Sequence, residues 1–437
     1  MNFKEWKEWY KSLHWTRKWY VILNLIRPIT DNFYELKQVS IVLSPLYIIG
    51  VLTPVFIIAS FTNKHFSRPQ PSPIDVPFSI WSAFVVFNCI FLYAIDTSIA
   101  ILGDIIKYIM PIFLFFYCRR FVRDKRDLLG ICQTFVYAAL FPIFLILYES
   151  FVDPIAIEYM KGRGGGSRIR GGYGDIMNYA LYTMCTWLII SYYFISKNNT
   201  VKYFKNKVIT NLRHKWFYTV EIKPWFMMLL FAFMILTMNA IKHVATWGVF
   251  LMLLGMLMLF NLKNIRGVIF VALFSLIIIP FFAEDIYIKM IAPLTDKEVA
   301  VAEGDNDIEG LGNGRMTRWE KYFEVWEQMP AIHHFVGVSF SGFKEAPVMM
   351  SLGMHSDYVR NLFLTGIIGA LSYVIFLFSI VYKGFMMRDF GDKFLILSSA
   401  FMIIMYSLST MPTLYAPFLY IIYCIWAYAL LPKAKQN

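Results

Sequence analysis

Long apolar runs dominate this 437-residue chain, and eleven of them approach the roughly 20 residues that a helix needs to cross a membrane. The runs are continuous rather than alternating, which excludes a transmembrane β-barrel. Charged residues make up 16% of the chain, whereas a soluble globular protein carries roughly 25%. The predicted spans are 39–61, 76–95, 99–118, 128–148, 175–195, 224–240, 244–261, 267–286, 360–382, 393–411 and 413–431. The sequence therefore predicts an all-α, polytopic integral membrane protein with about 11 or 12 transmembrane helices.

Basic residues cluster in three connections between the spans, at 119–126, 197–223 and 263–266. Cytoplasmic loops carry an excess of lysine and arginine, so these connections are predicted to be cytoplasmic. The two large loops, 149–174 and 287–359, then lie together on the external face. A loop as long as the second one is uncommon unless it has a function, so we expect function on that face.

The first 38 residues mix tryptophan and tyrosine with lysine and arginine, which is typical of an amphipathic helix on the membrane surface. A single membrane domain is predicted to cover 39–431, followed by a cytoplasmic tail at 432–437. Eleven crossings would place the basic N-terminus outside, against the positive-inside rule. Either 39–61 is a re-entrant hairpin broken by its prolines and glycine, or a short span is hidden near 15–34. Both alternatives stay open.

The net charge of +12 is explained by the basic loops and by anionic lipid head groups, so it does not predict nucleic-acid binding. The five cysteines fall in or at the ends of predicted spans without the spacing of metal ligands, which indicates packing residues. An acidic stretch at 305–310 resembles the opening of a calcium loop, but Met316 stands where that loop needs a glutamate. No metal or cofactor is predicted.

The first external loop is rich in glycine and basic residues between Lys161 and Gly172. Its arginines, Arg163, Arg168 and Arg170, lie among glycines, which let a backbone approach an anion closely. The Gly-Lys-Ser/Thr ending of a nucleotide-binding P-loop is absent from the motif. The loop is either a flexible turn whose charges face head groups or a segment that closes over a diphosphate or an anionic glycan.

Three further polar residues stand near the same face. Asp175 is predicted to cap the helix that follows the loop, and Asn178 to face a polar cavity one turn further. Lys242 lies in the short turn between the sixth and seventh spans. It either reaches water as a surface lysine or adds a cation to a site shared with the two large loops.

The second external loop contains a predicted helix from about 317 to 329, which Pro330 ends. An apolar stripe on this helix is expected to dock on the membrane or on neighbouring spans. The stripe consists of Trp319, Phe323 and Trp326. Arg315 and Arg318 stand at the N-terminal end, where free N–H groups and the helix dipole attract an anion. They are either a phosphate site or ordinary surface arginines.

His355 precedes the ninth predicted span, whose N-cap is predicted to be Ser356 or Asp357. Histidine titrates near neutral pH, and this one stands where a soluble acceptor and a lipid-linked donor would meet. It is therefore a candidate general base, with a structural role as the alternative. His333 and His334 are competitors for that role, but they are predicted to lie in a loop.

Loose motifs follow one another in an order that resembles a known superfamily. They are Gly174 to Ala180, Thr237 to Lys242, Gly314-Arg315, Trp319, Pro330, Val336-Gly337-Val338, His355-Ser356-Asp357-Tyr358, and Gly366 with Gly369. Over about residues 160–375 the chain is similar to the bacterial O-antigen polymerase and O-antigen ligase superfamily. It departs from that family at 237–242, where the serine of a Thr-x-Ser-Arg turn is missing and lysine replaces arginine.

The resemblance implies a membrane glycosyltransferase of the bacterial inner membrane, active on its periplasmic face. Such enzymes act on undecaprenyl-diphosphate-linked oligosaccharides without a nucleotide sugar, a cofactor or a metal, and a chain-length regulator protein is a compatible partner. The expected catalytic residues are His355 and Arg315. The expected substrate-binding residues are Arg163, Arg168, Arg170, Lys242, Arg318, Asn178, Asp357 and Tyr358.

Within the superfamily, the His-Ser-Asp sequence at 355–357 is more similar to polymerases than to ligases. A ligase would transfer the glycan to lipid A core, and related enzymes transfer it to a protein hydroxyl. A different class, a transporter of lipid-linked saccharides, would use the same basic loops without bond chemistry. Charges buried within spans would favour that class, and the candidates are Asp96, Asp104 and Lys107, of which the last two can pair along a helix.

Overall fold

The structure is a computed structural model that describes residues 3–36, 45–63, 66, 69–155, 157–159, 167–204, 222–261, 315–342, 344, 346 and 355–432. Within these residues the chain forms fourteen α-helices and one short β-hairpin. The helices are α1 (Phe3–Ser12), α2 (Trp15–Asp31), α3 (Pro45–Phe61), α4 (Asp75–Ile95), α5 (Ile99–Phe121), α6 (Lys125–Phe151), α7 (Met177–Phe204), α8 (Pro224–Ile241), α9 (Val244–Asn261), α10 (Arg315–Glu327), α11 (Ala331–Val336), α12 (Asp357–Phe385), α13 (Phe390–Ser409) and α14 (Ala416–Ala429). The hairpin pairs β1 (Ile157–Tyr159) with β2 (Ser167–Ile169) in antiparallel register.

Seven of the described helices are long and apolar enough to cross a membrane: α4, α5, α6, α8, α9, α12 and α13. Two shorter apolar helices, α3 and α14, coincide with other predicted spans. Helix α7 has the length of a span but is more polar, and every residue from 179 to 193 is buried. The predicted span at 267–286 lies outside the described residues. The prediction of an all-α, polytopic membrane protein is confirmed.

Asp127, at the start of α6, binds side chains of α1 and α2 at one end of the bundle. Its carboxylate accepts hydrogen bonds from the indole N–H of Trp9 (3.0 Å) and from the guanidinium groups of Arg17 (2.8 Å) and Arg123 (3.1 Å). Asp127 and Arg17 are both buried, and a buried charge is tolerated where it is paired and hydrogen-bonded. Because the basic segment 119–126 lies here, we call this the basic end.

Helix α2 connects the basic end to the opposite end, which we call the far end. Arg17 near its start contacts Asp127, whereas just beyond its C-terminus Asn32 accepts a hydrogen bond from Gly172 N–H in the first large loop (2.8 Å). The hydroxyl of Tyr173 likewise donates to the carbonyl of Pro28 near that end of the helix (2.9 Å). Residues 3–31 therefore form two helices, and the second packs along the bundle, as the alternative of a short span near 15–34 requires.

The other alternative, a re-entrant hairpin broken by the prolines and the glycine of 39–61, is wrong for the described residues 45–61. Residues 45–61 form one continuous helix, α3, with Pro54 inside it. Its C-terminal carbonyls, at Ser60 and Phe61, accept hydrogen bonds from Arg120 at the basic end (3.3 and 3.0 Å). Pro54 removes one backbone donor without breaking the helix, as a proline within a packed membrane helix can.

The backbones of α11 and α12 come into direct contact at two glycines, Gly337 and Gly366, and we call this contact the joint. Gly366 interrupts α12 with φ 65° and ψ −175°, a backbone conformation that is almost restricted to glycine. A Cβ atom at this position would lie 2.3 Å from the carbonyl of Phe335. Gly337 has φ 118°, and its Cβ atom would lie 2.4 Å from the carbonyl oxygen of Leu364. The two backbones therefore touch at these positions, which accounts physically for two glycines of the sequence motif.

Asn88 in α4 holds the same joint from the other side. Its amide donates to the carbonyl of Val336 (2.6 Å), and its side-chain oxygen accepts from the hydroxyl of Ser339 (2.7 Å). The amide N–H of Val338 donates to the carbonyl of Phe363 in α12 (2.9 Å). The segment that follows α11 is thus clamped between α4 and α12, inside the bundle rather than on its surface.

Helix α10 docks on α12 through aromatic rings. Tyr322, Phe323 and Trp326 lie 5.9, 5.4 and 6.2 Å from the ring of Phe363, measured between ring centroids. The predicted docking of the apolar stripe on a neighbouring span is therefore confirmed for Phe323 and Trp326. The helix begins at Arg315 and ends at Glu327, within about a turn of the predicted bounds.

Three smaller expectations were also decided. His333 and His334 lie in α11, so their prediction as loop residues is wrong; the ring of His334 packs at a tilt against Trp326, with ring centroids 4.3 Å apart. All five cysteines are buried, as expected of packing residues. Asp104 and Lys107 form the predicted pair along a helix, with 2.7 Å between the charged atoms.

Candidate functional site

Several candidate residues lie at the far end of the bundle, where the first turn of α12 docks on the last turn of α13. The hydroxyl of Ser356 donates to the carbonyl of Ser407 (2.9 Å), and the N–H of Asp357 donates to the carbonyl of Thr410 (3.1 Å). Ser356 is the N-cap of α12 and accepts from Val359 N–H, which decides between the two predicted caps. These contacts fix the backbone directly after His355.

His355 itself is exposed and has a left-handed backbone conformation, with φ 49°. Among the described residues only three other than glycine have a positive φ: Lys242, Ser341 and His355. Two of the three are candidates from the sequence. A left-handed conformation is unfavourable for most side chains, although histidine and asparagine tolerate it better, and such residues cluster at functional sites. The backbone geometry therefore independently singles out His355 and Lys242.

Asp357 and Arg360 form a buried ion pair one turn into α12, with 2.8 Å between the charged atoms. Asp357 also accepts hydrogen bonds from the N–H (3.1 Å) and the hydroxyl (2.6 Å) of Thr413. Arg360 donates to the same hydroxyl oxygen (2.6 Å). Since both carboxylate oxygens are engaged and Asp357 is fully buried, this residue anchors the start of α12 to the 3₁₀ turn Pro412–Leu414.

A second bridge connects that turn to the end of the first large loop. The phenol of Tyr415 donates to Asp175, which also accepts from Met177 N–H (2.8 Å) in the capping position predicted for it. Asn178 donates to the carbonyl of Asp175 (3.3 Å) and lies half-buried at the same place.

A cleft of about 310 Å³ opens at the far end between α6, α8 and the β-hairpin. Arg168 and Lys242 supply its two cationic side chains, and Glu149 its one carboxylate. Asn239 adds a neutral polar group. The cleft is at the lower end of the size of ligand pockets, which suits a compact charged group rather than a whole oligosaccharide. The structure thus brings together Arg168 of the first large loop and Lys242 of the short turn, whereas no described residue of the second large loop lines this cleft. The alternative of a site that Lys242 shares with both large loops is therefore met for the first loop alone.

Glu149 orders the loop that carries Arg168. One carboxylate oxygen accepts from the N–H groups of Ile155 (3.0 Å) and Gly171 (3.2 Å), and the other accepts from the phenol of Tyr179 (2.7 Å). The start and the end of the loop are therefore tied to one carboxylate. Gly171 has φ 63°, and its Cβ atom would lie 2.4 Å from the Tyr179 hydroxyl, so no other residue fits this closure.

Lys242 is the residue that ends α8. It adopts φ 46° and ψ 46°, and its N–H donates to the carbonyl of Met238 (2.9 Å). Glycine is the usual residue at a helix end with this left-handed conformation, because other residues are strained in it. A lysine at this position is therefore unusual. The turn continues into α9, where the hydroxyl of Thr246 contacts His243 (2.8 Å) and Tyr406 of α13 (3.4 Å). Helix α13 therefore contacts both the start of α9, which follows Lys242, and the start of α12.

The remaining candidates lie in different positions. Arg170 pairs with Glu35 (3.2 Å) and does not line the cleft, although it is only two residues from Arg168. Tyr358 is half-buried, and its phenol donates to the carbonyl of Ile404 (3.2 Å). Arg163 lies outside the described residues, as does the acidic stretch at 305–310.

Arg315 and Arg318 occupy the first turn of α10, as expected. The structure describes their helix but not their side chains. Because α10 is docked on Phe363, one turn from Arg360, its position relative to the bundle is determined by packing. The helix is thus rigidly attached to the same α12 that His355 precedes.

Comparison with known proteins found no matching family model and no curated protein with significant similarity to this chain. The resemblance to the O-antigen polymerase and ligase superfamily stays a prediction from the residues quoted above.

Sequence reasoning did not identify Glu149, Arg360, Thr413 and Tyr415 as part of this region. Glu149 and Arg360 stood at the boundaries of predicted spans, where charged residues are common and carry little information. A signal for Arg360 was present in its spacing from Asp357, because charges three apart on a helix are neighbours. Thr413 and Tyr415 contact their partners only through tertiary packing, and no sequence pattern indicates such contacts.

Proposed function

We propose that this protein is a membrane glycosyltransferase that polymerises undecaprenyl-diphosphate-linked oligosaccharide repeat units into a surface polysaccharide. The observation that carries the proposal is the pairing of two features at one end of the bundle: a cleft with two cations, and a strained, exposed histidine. Arg168 and Lys242 suit the diphosphate of a lipid-linked donor. His355 suits an acceptor hydroxyl that must lose its proton.

The proposed location is the bacterial inner membrane, with the far end facing the periplasm. The positive-inside rule supports this orientation because the segment 119–126 lies at the basic end. Eight helices from α2 to α9, the predicted span at 267–286, and α12 to α14 would make twelve crossings. An even number puts both termini on the cytoplasmic side, which removes the conflict over the basic N-terminus.

In the proposed reaction, the acceptor sugar hydroxyl attacks the anomeric carbon of the lipid-linked donor glycan. A new carbon–oxygen bond forms while the bond to the diphosphate breaks, and attack from the opposite face inverts the linkage. His355 takes the hydroxyl proton. The diphosphate leaves with the electron pair, and Arg168, Lys242 and Arg315 stabilise its charge.

The polymerase reaction is favoured over its ligase alternative by the residues that follow the histidine. Ser356 and Asp357 are both engaged in anchoring α12, with Ser356 capping the helix and Asp357 buried. The His-Ser-Asp sequence is more similar to that of polymerases. In this structure its serine and aspartate anchor the helix start that follows His355. The acceptor would be the terminal sugar of a new lipid-linked repeat unit.

The test uses purified protein in detergent with a synthetic undecaprenyl-diphosphate-linked oligosaccharide, followed by gel analysis and mass spectrometry. We expect a ladder spaced by one repeat unit, absent with His355→Ala and with Arg315→Ala. Transfer only after lipid A core is added would instead make the protein a ligase. Tight binding of the lipid without transfer to any acceptor would indicate a transporter and contradict the proposal.

Two arginines of the first loop provide a matched pair for the cleft. Arg168→Ala should lower the rate of polymer formation about 10- to 100-fold, because a charge-assisted hydrogen bond contributes about 1.5–3 kcal/mol. Arg170→Ala removes the same charge from the same loop but from a residue paired with Glu35, so a much smaller loss is expected. Initial rates at saturating acceptor measure both. Equal losses would show that only the net charge of the loop matters.

A further inference from the structure

Lys242, which lines the cleft, has a backbone conformation that a lysine does not keep without support from its surroundings. The left-handed region is unfavourable for its side chain, and such strain persists only where neighbouring structure imposes it. On the α8 side, the N–H of Lys242 donates to the carbonyl of Met238 (2.9 Å) and closes the last turn of the helix. This bond does not determine the direction in which the chain continues into α9, so a second restraint is needed after Lys242.

The second restraint is a chain of three side chains that runs from the turn to α13. Nδ1 of His243 lies 2.8 Å from the hydroxyl oxygen of Thr246, in the first turn of α9. The phenol of Tyr406, in α13, donates to the same hydroxyl oxygen (3.4 Å). The N–H of Thr246 also donates to the carbonyl of His243 (3.0 Å), so the first turn of α9 is built directly on the residue after Lys242. Thr246 and Tyr406 are both fully buried, where water does not compete for these bonds.

The phenol of Tyr406 determines how the hydroxyl of Thr246 is oriented. Because the phenol donates to the hydroxyl oxygen, the threonine hydrogen is left for the ring nitrogen of His243. Nδ1 is then the acceptor, and Nε2 carries the ring proton. Removing the phenol oxygen would therefore delete one hydrogen bond and allow the Thr246 hydroxyl to rotate away from His243.

The turn of α13 that carries Tyr406 also holds the start of α12, but through different atoms. Backbone carbonyls within 406–410 accept the hydrogen bonds from the two residues that follow His355. The turn at Lys242 is connected to the same segment by the Tyr406 side chain. A substitution that removes only the phenol oxygen therefore acts on the Lys242 side and leaves the His355 side in place.

We propose that Tyr406 is a positioning residue for the cleft in which Arg168 and Lys242 lie. Acting through Thr246 and His243, its phenol holds Lys242 in the left-handed conformation that directs the lysine to the cleft. Tyr406 does not itself line the cleft, so it would act on a bound diphosphate only through Lys242. The inference rests on the proposed function, because it assumes that the cleft binds the diphosphate of the donor.

The first experiment measures the binding of farnesyl diphosphate to the full-length protein in detergent by isothermal titration calorimetry. Tyr406→Phe should raise the Kd about 3- to 10-fold, since a neutral hydrogen bond shifts an equilibrium by about that factor. The same substitution should have no further effect in Lys242→Ala and its full effect in Arg168→Ala, because it acts through Lys242. Equal losses in all three backgrounds would indicate a general structural role and overturn the proposal.

Two buried hydroxyl groups of α7 provide matched controls. Tyr193→Phe removes a phenol oxygen that has no hydrogen-bond partner among the described residues. Thr186→Val removes a hydroxyl that donates to the carbonyl of Tyr182 in its own helix (2.7 Å). Both variants should bind farnesyl diphosphate like the wild type. Thr246→Val should reproduce the loss seen with Tyr406→Phe, whereas Thr246→Ser keeps the hydroxyl and should retain most of the affinity.

Hydrogen exchange separates this inference from the proposed function, because it needs no ligand. Peptides that cover 239–247 should exchange about 3- to 10-fold faster in Tyr406→Phe than in the wild type, and at the wild-type rate in Tyr193→Phe. Unchanged exchange in Tyr406→Phe would overturn the proposal. If the wild type bound no farnesyl diphosphate while exchange rose as expected, the proposed function would lose its donor cleft. The link between Tyr406 and Lys242 would still stand.

Discussion

His355→Asn should reduce polymer formation by about 100- to 10,000-fold while the protein stays folded, because a general base contributes a factor of that size. Asparagine is enriched in the left-handed backbone conformation that His355 adopts (φ 49°), so the turn before α12 should be kept. Asparagine cannot take up a proton near neutral pH. His355→Gly should have the same effect, since glycine relieves the backbone strain completely. The ladder assay measures activity, and size-exclusion chromatography in detergent measures folding.

A matched control lies at the other end of the bundle. His14 is the N-cap of α2 and accepts a hydrogen bond from Thr16 N–H (3.4 Å). Asparagine is a preferred N-cap, so His14→Asn makes the same chemical change and should leave activity intact. A normal ladder from His355→Asn would remove the histidine from the mechanism. Loss of the folded protein in His355→Asn, but not in His355→Gly, would point instead to a backbone role.

Most of the architecture could be predicted from the sequence because apolar runs of sufficient length can satisfy their backbone hydrogen bonds in a bilayer only as helices. Helix α2 was the exception. Its polar residues Arg17, Asn24, Arg27 and Asp31 lower its mean hydropathy below that of a span. In the folded protein Arg17 pairs with Asp127 of α6 and Arg27 with Asp31, while Asn24 donates to the carbonyl of Tyr20 in its own helix. Hydropathy along one segment cannot show that its polar groups have partners elsewhere.

The candidate site was predictable in residue type but not in arrangement. The sequence indicated both Arg168 and Arg170 on chemical grounds, and nothing in it distinguished residues two positions apart. The fold separates them, because Arg168 lines the cleft with Lys242 whereas Arg170 pairs with Glu35. The left-handed conformations of Lys242 and His355 were equally invisible, since neither residue is glycine. Tertiary contacts impose such strain, and it cannot be inferred from local preference.

The second large effect is expected for Gly366→Ala, which should prevent stable folding. The substitution adds a Cβ atom at 2.3 Å from the carbonyl of Phe335, on a backbone with φ 65° and ψ −175°. Strain of this kind costs about 1–3 kcal/mol, and the overlap with rigid backbone adds a further 1–3 kcal/mol or more. That total is a large fraction of the roughly 5–15 kcal/mol by which native proteins are stable. Detergent-solubilised protein should show a much lower thermal midpoint and little monodisperse material.

Gly255→Ala is the matched control, because the structure leaves open space around its Cβ position in the middle of α9. Alanine there should be neutral or slightly stabilising, since it favours the helix by up to about 1 kcal/mol over glycine. Gly337→Ala, with its Cβ atom 2.4 Å from Leu364 O, should behave like Gly366→Ala because it belongs to the same joint. If Gly366→Ala matched the wild-type thermal midpoint, α11 could not contact the broken turn of α12. The attachment of α10, with Arg315 at its start, would then have to depend on the aromatic contacts with Phe363 alone.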